Sequence, residues 1–206
     1  DLLEDQIEDL FHRHQRNNES GMTMEQEVLH EQIQTEEQSD VELSARLGET
    51  LFESIKNQSQ QITQTESIWK SSTPSAAHSL YHHPLYKEVR DWSALVFEFS
   101  KRRYHDGVRT RELFSVYANV NLVPIKLASA LMEEVRDDEF SLEIAIQDFK
   151  LACTYLGRVV ACLDHLATHE IENIPVKKMS QVGSRLLNAI YARLSELQGR
   201  MRKPGS

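Results

Sequence analysis

The stretch SLEIAIQDFKLACTYLGRVVACLDHLATHE, residues 141–170, decides the fold class. Its apolar residues Leu142, Ala145, Ile146, Phe149, Ala152, Cys153, Leu156, Val159, Val160, Leu163 and Leu166 recur every three or four positions. Successive residues of an α-helix turn by about 100°, so this spacing gathers them on one face. The pattern predicts a helix over 142–168, capped by Ser141 and closed by Ile171–Pro175. No run of five or more β-branched or aromatic residues alternates with polar ones, the signature of a half-buried strand.

Working outward, the same periodicity repeats. Pro84 suits a first helical position, and Leu85, Val89, Trp92, Val96 and Phe99 follow as a stripe widened by Leu95 and Phe97. His105-Asp106-Gly107 ends that helix. Thr110 is the expected N-cap of the next, which carries Leu113, Phe114, Tyr117 and Val120. Pro124 starts or kinks a third helix with Ile125, Leu127, Ala128, Leu131, Met132 and Val135, and Asp137-Asp138-Glu139 reads as a turn. A last helix over 176–202 shows Met179, Val182, Leu186, Ile190, Leu194, Leu197 and Met201. Short connections between such helices predict an antiparallel bundle over residues 85–203. Seven glycines and five prolines in 206 residues are too few for a turn-dense sandwich or barrel. No apolar run approaches the roughly 18 residues of a membrane span.

Residues 1–73 differ in kind. They hold sixteen acids and five bases, a net charge of −11, whereas 74–206 hold sixteen acids and eighteen bases, a net of +2. Leu3, Ile7, Leu10 and Phe11 have helical spacing, and Met24, Val28, Leu29 and Ile33 form a weak second stripe. Leu51, Ile55, Gln58, Ile62, Thr65 and Trp69 then fall in heptad register, with two polar seam positions. The expected architecture is therefore all-α: an N-terminal acidic helical or coiled-coil arm (1–73), a linker rich in Ser, His and Pro (74–84), and the bundle.

Chemistry-bearing motifs are sparse. His165 and His169 stand four apart, a spacing that can serve a metal, but histidines at a helix C-terminus also suit the dipole there. Glu27-x-x-His30 is half of a di-iron motif without a second copy. Cys153 and Cys162, nine apart on one helix, face opposite ways and cannot pair with each other. Unpaired cysteines of this kind lead us to expect a reducing compartment, cytoplasm or nucleus. No glycine-rich phosphate loop or nucleophile elbow is present. The expectation is a protein that is not an enzyme, with no catalytic, metal or cofactor residues.

Two surfaces remain as candidates for binding. Leu51, Ile55, Ile62 and Trp69 form an apolar seam that a partner helix would cover, which implies a scaffold, adaptor or assembly subunit binding a protein through residues 41–70. Arg102, Arg103, Lys177, Lys178, Arg185 and Arg193 form a basic set. They suit the alternative, a regulatory module that binds nucleic acid or anionic lipid. In that reading the acidic arm folds back and masks the basic surface.

Overall fold

The computed structural model describes residues 22–58, 80, 82–136, 138–170 and 174–201. All regular structure among them is helical: α1 Met24–Gln58, α2 Pro84–His105, α3 Arg111–Asn119, α4 Leu122–Glu134, α5 Glu139–His165 and α6 Ile174–Met201. A π-helical turn, Leu166–Glu170, joins the last two. The all-α bundle expected from the sequence is thus observed, with no strand among the described residues.

Local chemistry sets the ends. Pro84 opens α2, and the preceding His83 ring accepts the Tyr86 N–H. Thr110 caps α3 by accepting the Leu113 N–H at 3.3 Å. Gly107, at φ +96°, takes the left-handed turn that follows α2 and that a side chain would resist. The cap of α5 is not the expected Ser141 but Asp138. Its carboxylate accepts the Ser141 N–H at 2.9 Å and the Ser141 hydroxyl at 2.7 Å. A charged acceptor also suits the positive end of the helix, so α5 begins three residues earlier than expected. Pro124 lies in the first turn of α4, where a proline is tolerated.

The core forms around α5, which packs against α3, α4 and α6, while α2 closes the bundle against α3, α4 and α6. Phe149, Tyr155, Leu156 and Leu163 of α5 meet Leu113, Leu127, Leu186, Ile190 and Leu197, all at most 1% exposed. Each such side chain contributes on the order of 1.5–3 kcal/mol by leaving water. α2 and α6 run antiparallel and approach closely at Gly183, where an added Cβ would lie 2.7 Å from both Trp92 Cζ2 and Val160 Cγ2. Beside this contact the Trp92 indole N–H donates to the Met179 carbonyl at 3.0 Å.

α1 packs along α3 and α5. The described part of the acidic segment is therefore attached to the bundle, and it uses the stripe that looked weak in the sequence: Val28 is 1% exposed, and Met24, Leu29 and Ile33 are half-buried. Of the heptad, Leu51 and Ile55 lie on α1, although the side chains of 49–58 are outside the described residues. Ile62 and Trp69 are wholly outside them. Among the described residues no helix is long and apolar enough to cross a membrane.

Candidate interaction surfaces

The seam between α1 and the bundle is mainly polar. Tyr104 donates to Glu25 at 2.7 Å, and Tyr155 donates to Glu36 at 2.5 Å. Lys126 meets the second Glu36 oxygen at 2.7 Å. Arg158 donates to Thr35 at 2.8 Å and pairs with Glu31 at 3.1 Å, while Arg111 reaches Glu31 at 3.4 Å. Gln147 donates to the Ser39 hydroxyl at 2.9 Å, and Arg46 pairs with Glu143 at 3.3 Å. Proton affinities follow from this geometry. Burial, then the hydrogen bond to Glu36, pushes the Tyr155 phenol up. Burial and the bond to Glu25 do the same for Tyr104, whose hydroxyl in turn holds Glu25 below the usual carboxylate range.

These contacts fix a register. Glu31 faces Arg158, Glu36 faces Tyr155, Ser39 faces Gln147 and Arg46 faces Glu143, so α1 and α5 are antiparallel. Moving four residues back from Glu143 to Glu139, the start of α5, moves four residues forward from Arg46 to Thr50. Residues 51–58 of α1 therefore run on past the start of α5, by about 12 Å at 1.5 Å per residue.

The six basic candidates do not form one patch. Arg102 and Arg103, near the end of α2, border a groove shared with the beginning of α6, where Lys177 and Lys178 are exposed. Arg185 lies farther along α6 and pairs with Glu88 at 3.1 Å. Arg193 is engaged with Glu134, which is 8% exposed and also takes Arg200 at 3.2 Å, and with Glu196 at 2.7 Å. Among the described residues, the carboxylates of α1 that pair with the bundle meet Arg111, Lys126, Lys150 and Arg158, a different set of bases from these six.

The groove between α2 and α6 has a volume of about 740 Å³. Leu95, Phe99, Pro175 and Met179 form its apolar part, and Leu95 is 55% exposed. Arg102, Arg103, Glu98 and Asp106 line it with charge. Val182, 36% exposed, follows Met179 by three residues on the same side of α6. Phe99 and Met179, on the stripes expected to face the core, pack against it and also line this groove, as does Leu95. Leu95 lies about 120° around the helix from Val89, at the edge of the stripe and not at its centre.

Other chemistry-bearing residues are dispersed. Cys153 is buried and its thiol is pushed up to about 12 by desolvation; burial also raises Cys162. His165 is exposed at the end of α5, and the side chain of His169 lies outside the described residues. His30 and Glu27 sit on α1, and His30 shares a hydrogen bond with Gln34. Among the described residues no three His, Cys, Asp or Glu side chains gather as a metal site. No protein-family model, curated protein or solved structure matches the chain.

Proposed function

We propose that the protein is a non-catalytic scaffold, adaptor or assembly subunit that binds another protein, its own copy or a different chain, through residues 41–70. One observation carries this reading: α1 continues as helix to Gln58, past the first residue of α5. Leu51 and Ile55 stand on that projecting part, and Ile62 and Trp69 continue their heptad spacing in the sequence. A helix that has run past its neighbour is suited to pair with another. The raised Cys153 and Cys162 thiols do not suit nucleophilic catalysis by either cysteine, which needs a lowered proton affinity.

The test is the absolute mass in solution of the full chain and of Leu51→Asp/Ile55→Asp, by light scattering. A dimer or higher form that becomes a monomer in the double variant is the expected result for self-pairing. Monomers in both cases direct the reading to a different partner chain. Unchanged recovery of bound proteins by the double variant would then overturn it.

The alternative, a regulatory surface for nucleic acid or anionic lipid, draws on Arg102, Arg103, Lys177 and Lys178, exposed or half-exposed at one end of the bundle. The engagement of Arg185 and Arg193 with carboxylates weakens it. Salt separates the two readings, because phosphate contacts weaken steeply with added salt and an apolar seam does not.

A further inference from the structure

The groove between α2 and α6 exposes a large leucine beside two arginines, a combination that suits an amphipathic helix with an acidic flank. The chain itself contains such a segment. Residues 1–11, Asp-Leu-Leu-Glu-Asp-Gln-Ile-Glu-Asp-Leu-Phe, lie outside the described residues and carry five acids and no base. Their apolar side chains Leu3, Ile7, Leu10 and Phe11 fall at helical spacing.

We propose that this groove is the docking site of the chain's own residues 1–11. In that arrangement Leu3, Ile7, Leu10 and Phe11 cover Leu95, Phe99 and Met179, and the acidic flank faces Arg102, Arg103 and Lys178. The proposal is independent of the pairing assigned to residues 41–70.

Three further observations point to this occupant. The first is length. From Leu95 to Asp106 the groove follows eleven steps of α2, about 16 Å, and an eleven-residue helix is also about 16 Å long. The second is tethering. The Glu25–Tyr104 hydrogen bond fixes the start of α1 beside the last turn of α2, the turn that also holds Arg103. Tyr104 and the groove lie on opposite flanks of α2, so the connection must pass around the end of that helix. The twelve residues 12–23 can span up to about 40 Å, several times a helix radius, so the path is open. The third is charge. Arg102 and Arg103 line the groove, and the exposed Lys178 lies about 60° around α6 from Pro175. Glu98 and Asp106 oppose an acidic occupant, which orients its carboxylates toward the arginine and lysine side.

An isolated eleven-residue helix is marginal in water, so the segment needs a surface to fold on. A short flexible tether supplies an effective concentration in the millimolar range, so even a weak intrinsic contact is populated.

Disulfide trapping in the full chain tests this. Ile7→Cys is combined with Leu95→Cys, or with Gln181→Cys as a control on the exposed side of α6, about 120° around from Pro175. The expected result is rapid intramolecular cross-linking of the 7/95 pair, with the 7/181 pair slower by about tenfold or more. Adding Arg102→Glu and Arg103→Glu should slow the 7/95 reaction toward the control rate. Equal rates for the two pairs overturn the proposal. A 7/95 product with twice the chain mass also overturns it, because the groove would then hold a second copy.

Discussion

α5 and α1 lie side by side, yet they are held by different forces. α5 buries fourteen of its 27 residues, among them Phe149, Tyr155, Leu156 and Leu163. α1 is longer, at 35 residues, but among its described side chains only Val28, Gln32 and Ser39 are buried. Beyond the half-buried Met24, Leu29 and Ile33, it is held by hydrogen bonds and ion pairs, several of them exposed on at least one partner, such as Arg111–Glu31. Burial removes apolar area from water and is insensitive to salt, whereas exposed ion pairs add only about 0–1 kcal/mol each. Gln32 Nε2 and Arg158 Nη1 are buried in this seam without a protein partner among the described residues. The two helices should therefore report different events: α5 the global unfolding of the bundle, α1 a local detachment at lower free energy.

Four predictions probe this difference. The largest effect belongs to Phe149→Ala, which opens a cavity in the core and should cost about 3–5 kcal/mol of global stability, read by urea unfolding. A loss below about 1 kcal/mol would show that the α5 core is looser than its burial implies. Gly183→Ala comes next. The new methyl meets Trp92 and Val160, neither able to retreat easily, and about 1–3 kcal/mol of overpacking should outweigh the helix-propensity gain of roughly 1 kcal/mol. Equilibrium unfolding with Trp fluorescence measures this, and a stabilised variant would mean the helices can separate at little cost.

Tyr155→Phe should move the other helix. It removes the hydrogen bond to Glu36 and leaves the ring in the core, so about 1.5–3 kcal/mol should be lost from the attachment of α1. Hydrogen exchange should rise across 24–47 while the protection of α5 stays nearly constant. Equal acceleration in both helices would show that they unfold as one unit. The smallest effect is in pH. Glu25 has a lowered proton affinity in the folded chain, so its stabilisation is present above the ordinary carboxylate range and is lost as pH falls through its folded value. Tyr104 and Tyr155 are raised, so their contribution is present below the ordinary tyrosine range and is lost as pH rises above that range through their folded values. Exchange in 24–47 should thus quicken at both extremes before that of α5 does, and Tyr104→Phe should remove part of both limbs.

The sequence by itself determined the helices of the bundle and most of their ends. The stripe from Leu142 to Leu166 left no alternative to a helix, and Pro84, Thr110 and Gly107 act where their local chemistry places them. The cap of α5 was misplaced by three residues because Asp138 and Ser141 can both accept hydrogen bonds, and only the folded geometry selects between them. The position of α1 was not legible. Apolar periodicity pointed beyond Asp40, whereas the bundle takes hold of 24–47 through Glu25, Glu31, Glu36 and Ser39. A polar residue that faces a partner looks the same in sequence as one that faces water, and their partners lie 79 or more residues away along the chain. The groove at Leu95, Phe99 and Met179 was likewise decided by tertiary structure. Periodicity tells which side of a helix is apolar, but how far the neighbouring helix reaches across that side depends on where two distant segments, α2 and α6, come to rest.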